Sequence, residues 1–224
     1  MNHAIYWPDM EKGQTKTLPG INQRKRQWYE ASSLFLGRVC LKLGFTPNVL
    51  TVVSLLCAVV AGLQFWTGNI MWGVLWMIIT AFTDMLDGST ARAGDLGTVF
   101  GGIFDHVLDR YGEFCILAGI TLSGSAHPGW GIFALFGMLI ASYTRAAAES
   151  MGKIENCAVG MVGRAEKFLL IIIGAVLEIY FPTGIWPKAG WLEFALIIVG
   201  VTSLITAIQR LAYAKKVLGN RKSV

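Results

Sequence analysis

Residues 70–120 read IMWGVLWMIITAFTDMLDGSTARAGDLGTVFGGIFDHVLDRYGEFCILAGI, two long apolar runs separated by a polar centre. Each run reaches the length of about 20 residues needed to cross roughly 30 Å of hydrocarbon. Asp84 and Asp87 are three residues apart, and Asp105 and Asp109 four apart, so each pair falls on one face of a helix. Ionisable groups inside spans are costly unless paired, hydrated or bound to metal. These four acids are therefore the first candidates for function.

Working outward, the same alternation of apolar runs and Gly, Pro or charged punctuation continues. The 224-residue chain is 54% hydrophobic and 15% charged, too apolar for an ordinary soluble fold. Six spans are expected, at 48–66, 70–93, 97–123, 130–151, 165–181 and 191–215. Ahead of them, residues 21–43 mix Trp28, Leu34, Leu36 and Val39 with Arg24, Arg26, Arg38 and Lys42, the pattern of an amphipathic helix in the membrane interface. The expected fold is all-α and integral to the membrane, with six transmembrane helices preceded by that interfacial helix. The membrane domain covers 21–217, between a flexible tail at 1–20 and a basic tail at 218–224. Residues 44–48 punctuate the first span, with Thr46 or Asn48 available to cap its backbone N–H groups.

No apolar signal core opens the chain, so the amino terminus is expected in the cytosol. Threading six spans from there puts every Lys and Arg except Lys188 on or near the cytosolic side. The net charge of +5 can meet anionic lipid headgroups and requires no nucleic-acid partner. Trp66, Trp72, Trp130, Trp186 and Trp191 would lie near the opposite interface, where indole rings are enriched. The outward loops carry almost no ionisable groups, which places the chemistry on the cytosolic half. Cys40, Cys57, Cys115 and Cys157 have no C-x-x-C spacing and read as small apolar filler.

Four acids brought together repel one another, and one or two divalent cations resolve the conflict. Oxygen-only ligands point to Mg²⁺ or Mn²⁺, with Ca²⁺ as a competitor. Gly88 and Gly101 would let a ligand approach the backbone, and Arg92 can clamp a phosphate. His106 sits at the edge as a packing residue. Asp95 reads as a solvated helix start and Glu113 as a packing residue or second partner, both outside the expected site. A divalent-cation transporter is the rival from another class. It requires polar groups to continue across the membrane, whereas 74–79 and 116–120 are apolar.

Asp84, Asp87, Gly88, Ala91, Arg92, Gly101, Asp105 and Asp109 fill the pattern D-x2-D-G-x2-A-R-x8-G-x3-D-x3-D. On these residues the chain resembles the CDP-alcohol phosphotransferases, over nearly everything after residue 21. The resemblance implies CMP-forming transfer of a phosphatidyl-type group from CDP-diacylglycerol or CDP-archaeol to an alcohol, at the cytosolic face of a cell membrane. It implies that Asp84, Asp87 and Asp105 bind metal, and that Asp109 lies by a second metal and accepts the alcohol's proton. Thr46, Pro47, Asn48, Val49, Gly88, Ala91, Arg92, Thr98 and Gly101 would contact the CDP-lipid. A homodimer is implied too, with Gly112 and Gly119 available for close packing.

Residues 142–149, 163–167 and 209–210 are similar to the matching segments of phosphatidylinositol-phosphate synthases. That similarity implies that Arg145, Arg164 and Arg210 hold the phosphate of inositol 1-phosphate. Departures are Arg145 in place of the usual Lys, Ala147 in place of Arg, and Gly163 and Lys167 within a segment that more often reads E-R-x-E-R. Glycerol 3-phosphate or another alcohol remains the alternative acceptor.

Overall fold

A computed structural model describes residues 33–154, 157–181 and 190–221. They form seven helices and no strand: α1 over 33–42, α2 Pro47–Trp66, α3 Ile70–Gly94, α4 Val99–Leu122, α5 Pro128–Gly152, α6 Arg164–Tyr180 and α7 Trp191–Arg221. All six expected spans correspond to helices. Four of these, α2, α3, α5 and α7, are long and apolar enough to cross a membrane. In α4 the site residues Asp105, Asp109, Arg110 and Glu113 dilute the apolar content, and α6 has 17 residues. α7 extends beyond 215, so residues 218–221 of the expected tail are helical. Residues 1–32, most of the expected interfacial helix and Trp186 lie outside the described residues, as do 222–224.

Local chemistry sets the boundaries. Pro47 opens α2 in the first helical position, where no backbone donor is needed. Thr46 precedes it without a side-chain cap bond, so the cap expected of Thr46 or Asn48 is not made. Thr98 does cap α4, its Oγ1 accepting from the Gly101 N–H at 2.9 Å. Asp95 is the left-handed C-cap of α3, at φ 52°, and not the start of the next helix. Its neighbour Leu96 closes the turn by donating to the Ala91 carbonyl at 2.9 Å.

α2 is the shared neighbour of α3 and α4, α7 packs with α5 and α6, and the two groups join through α4–α5 and α3–α6. Among the described residues, then, α3 and α4 are assembled on α2 instead of packing mainly on each other. The reason is a run of small residues. A Cβ on Gly119 would lie 2.0 Å from the Gly62 carbonyl oxygen, one on Gly62 2.3 Å from that of Cys115, and one on Gly112 3.2 Å from Ala58 Cβ. Gly112 and Gly119 are thus occupied against α2 within the chain and do not offer a surface to a second copy.

α1 docks one face on the end of α3, where a Cβ on Gly37 would strike the Ser89 carbonyl at 2.3 Å. Ser33 and Cys40 share that buried face, while Phe35, Val39 and Leu43 point outward. The exposed side of this segment therefore carries apolar Phe35, Val39 and Leu43 beside charged Arg38 and Lys42. Trp66, Trp72 and Trp130 are exposed, and Trp191 donates through Nε1 to the Phe181 carbonyl at 3.1 Å. The cysteines are free, three of them buried.

Gly119→Ala is expected to destabilise the protein by about 1–3 kcal/mol, the usual cost of overpacking. Gly102, whose added Cβ would meet nothing within 4 Å, provides the control. Thermal unfolding in detergent should show a lowered midpoint for Gly119→Ala and none for Gly102→Ala.

Candidate active site and metal centre

The first turns of α2, α4 and α6 and the last turns of α3 gather at one end of the bundle. α3 contributes Asp84 and Asp87, and α4 contributes Asp105 and Asp109. Carboxylate oxygens of Asp84, Asp105 and Asp109 lie within 4.8 Å of one another. At an effective dielectric constant near 20, each such pair of full charges repels by about 3 kcal/mol. Asp105 Oδ1 is buried and accepts no hydrogen bond from the described residues. Three oxygen donors and an unsatisfied buried oxygen fit a hard divalent cation.

Asp87 is the exception among the four acids. It is buried on α3 with Oδ2 accepting from Thr51 Oγ1 of α2 at 2.8 Å, outside the three-carboxylate cluster but within electrostatic reach of Asp84 and Asp105. At about 100° per residue, a spacing of three leaves Asp84 and Asp87 about 60° apart around the helix, so one can face α4 and the other α2. His106 remains at the edge, its side chain 70% exposed and Nδ1 3.8 Å from Asp105 Oδ2.

The residues expected around a CDP-lipid also come together. Thr46, Pro47, Asn48 and Val49 begin α2, next to the start of α4. A Cβ on Gly101 would lie 2.9 Å from Thr98 Oγ1 and 3.4 Å from Asn48 Oδ1, so the first turns of α2 and α4 meet closely at a glycine. Gly88 and Ala91 lie on the last turns of α3 with Arg92, whose Nη2 donates to Ser89 Oγ at 3.3 Å.

The three arginines expected to hold the acceptor divide into two settings. Arg164, the first residue of α6, reaches into the carboxylates, with Nη1 3.3 Å from Asp84 Oδ1 and in close contact with Asp109 Oδ2. Its guanidinium also lies 5.5 Å from the Phe168 ring centre. Arg145 pairs with Glu149 at 2.9 Å. Arg210 donates to the main-chain carbonyls of Ala141 at 2.6 Å and Val159 at 2.9 Å. Arg145 and Arg210 are within electrostatic reach of one another. Arg164 thus sits at the acids, while Arg145 and Arg210 sit on the α5–α7 wall, with Arg210 also within electrostatic reach of Arg110.

A narrow crevice between α2, α3, α4 and α6 runs beneath the acids, lined by Thr51, Ser54, Asp109, Glu113, Arg164 and Phe168 among others. Two residues at this crevice lie outside the site expected from the sequence. Glu113, 1% exposed, has Oε2 2.7 Å from Arg110 Nη1 and Oε1 3.2 Å from Arg164 Nε. Arg110 reads in sequence as ordinary cytosolic-side charge, yet its Nη1 donates to Ser142 Oγ on α5 at 2.6 Å. The available signal was the spacing of four that continues from Asp105 through Asp109 to Glu113.

Residues 45–209 match the family described as CDP-alcohol phosphatidyltransferase. The archaetidylinositol phosphate synthase of Methanothermobacter thermautotrophicus is 32% identical over 197 residues, 88% of this chain and 97% of that one. The crystal structure of Mycobacterium tuberculosis phosphatidylinositol phosphate synthase with CDP-DAG bound superposes with a TM-score of 0.70 at 27% identity, over 82% of this chain and 93% of that one. The same mycobacterial enzyme in complex with manganese and citrate also gives 0.70, at 28% identity over 81% and 88% of the two chains. With its motif, its multi-pass helical fold and these relatives in agreement, the chain belongs to the CDP-alcohol phosphatidyltransferase family and is an enzyme of phospholipid biosynthesis.

Proposed function

We propose that the enzyme transfers the phosphatidyl-type group of a CDP-activated lipid to a hydroxyl of inositol 1-phosphate, releasing CMP. The observation that carries this reading is Arg164, a cation planted against Asp84 and Asp109 at the mouth of the acidic cluster. A phosphorylated alcohol held by that guanidinium would bring its own hydroxyl next to Asp109, whereas choline or ethanolamine would meet a like charge. The relatives named as archaetidylinositol and phosphatidylinositol phosphate synthases favour the same acceptor, and CDP-DAG in a solved relative favours a CDP-lipid donor. The donor's tails are those of CDP-diacylglycerol or CDP-archaeol.

In this reading Asp84, Asp87, Asp105 and Asp109 would together hold Mg²⁺ or Mn²⁺, one ion or two. Such ions supply charge neutralisation at the pyrophosphate and at the departing CMP. The protein's own groups do the rest. Asp109 accepts the proton of the attacking hydroxyl. The ends of α2, α3 and α4, with Thr46 to Val49, Gly88, Ala91, Arg92, Thr98 and Gly101, orient the nucleotide and phosphates. Arg145, Arg164 and Arg210 supply the positive wall for the acceptor. In this reading the chain crosses the membrane six times with α1 at the interface, and this end of the bundle faces the cytosol, a reading supported by the Lys and Arg residues that fall on that side when six spans are threaded from a cytosolic amino terminus.

CMP release by purified protein in lipid, with CDP-diacylglycerol and Mg²⁺ or Mn²⁺, tests the acceptor. Release with inositol 1-phosphate, and a rise of roughly tenfold or more in its KM on Arg164→Ala, is the expected result. Release only with glycerol 3-phosphate or another alcohol would replace the acceptor and keep the reaction.

A second experiment separates the acids. Asp109→Asn is expected to cut turnover by about a hundredfold or more, the scale of a lost general base, while sparing CDP-lipid binding. Asp84→Asn should weaken both, measured as CMP release and as thermal stabilisation by CDP-diacylglycerol. Equal loss of binding in the two variants would overturn the assigned roles.

A further inference from the structure

We propose that Glu113 is a positioning residue for the transfer, a buried countercharge that fixes the guanidinium groups of Arg164 and Arg110 beside Asp109 Oδ2. Glu113 stands one helical turn beyond Asp109 on α4 and is 1% exposed. Its two oxygens are divided between two cations, Oε2 at 2.7 Å from Arg110 Nη1 and Oε1 at 3.2 Å from Arg164 Nε. Both approaches lie off the line of a hydrogen bond, so the link is mainly ionic. Buried Lys167, one turn along α6 from Arg164, is within electrostatic reach of the same carboxylate.

Each arginine is held at more than one point. Arg164 has Nε toward Glu113 and Nη1 toward Asp109 and Asp84, while Arg110 has Nη1 on Ser142 Oγ and Nη2 4.0 Å from Asp109 Oδ2. Their side chains remain 28–29% exposed, so an outer edge of each can still meet an anion. An arginine is a long, flexible side chain, and orienting its planar fork in advance lowers the entropy lost when it binds phosphate. A buried carboxylate is unfavourable unless cations surround it, and an apolar side chain would pack the same space without that demand. Its presence beneath two partly exposed arginines is accounted for by orientation.

This inference rests on the reading of Arg164 as the holder of an anionic acceptor. The experiment therefore begins by fixing which alcohol the unmodified enzyme uses. An alcohol other than inositol 1-phosphate would overturn that assignment, and the comparison below is then made with the alcohol found. A preferred alcohol without an anionic group would overturn the positioning role as well.

Glu113→Gln, nearly isosteric but uncharged, is expected to raise the acceptor KM by about tenfold while the CDP-lipid KM stays within about twofold. Glu113→Asp should recover part of the loss, since it restores the charge. A residue that only supports the fold would change both KM values together or lower kcat and thermal stability without the split, and either pattern would overturn the proposal. Where Glu113→Gln gives no folded protein, Ser142→Ala decides, because it releases the far end of Arg110 without stranding a charge. It should raise the acceptor KM several-fold with the CDP-lipid KM unchanged, and an unaltered acceptor KM would overturn the positioning role.

Discussion

Carboxylates from two helices converge within 4.8 Å at the end of an apolar bundle, and the rest of the architecture answers that concentration of negative charge. Left alone, the groups would push α3 and α4 apart by several kcal/mol. Two features oppose this. Cation comes from a third helix, through Arg164 at the start of α6, and the backbones of α3 and α4 are locked against α2. A divalent metal fits the remaining deficit of positive charge, because its ligands are hard oxygens and one of them is buried without a partner.

Locking helices in this setting cannot draw on the hydrophobic effect in the usual way, since lipid is as apolar as a leucine side chain. Close backbone approach supplies the attraction instead. The crossing of α2 on α4 at Ala58, Gly62, Gly112 and Gly119 is such an approach. The polar contacts of α2 with α3, Ser54 Oγ to the Thr80 carbonyl at 3.1 Å and Thr51 Oγ1 to Asp87, reinforce the other side. α2 therefore sets the separation of the two acid-bearing helices, although it contributes no acid to the cluster itself.

Much of this was legible in the sequence because it depends on local periodicity. Helix positions followed from apolar run length and from Gly, Pro and charged punctuation between the runs, as at residues 44–48. The four acids followed from their spacing and depth. What sequence spacing could not convey was partnership across helices. Asp84 and Asp87 share a face in sequence terms, yet one joins the cluster and the other turns to Thr51. Gly112 and Gly119 looked available to a second subunit because nothing in their spacing shows that α2 already covers them. Glu113 carried the right periodicity but no motif, Arg110 carried neither, and what joins them to the acids is a contact with Arg164, more than fifty residues away in the chain.

The arginines show the same division between charge, which a sequence reveals, and duty, which contacts assign. Arg210 gives two of its N–H groups to main-chain carbonyls, one on α5 and one in the segment before α6. Gln209 beside it accepts from the Met161 N–H at 2.9 Å, and Glu149 accepts from the Cys157 N–H at 3.0 Å. These contacts pin the described residues 157–161 onto α5 and α7. That segment leads directly to Gly163 and Arg164, so its anchorage fixes where α6 begins. Because α6 begins with the arginine that enters the carboxylate cluster, the contacts of Arg210 bear on that cluster through backbone placement. The position of a single guanidinium beside Asp109 is thus determined twice, by the strap that brings α6 to the site and by the buried carboxylate of Glu113 beneath it.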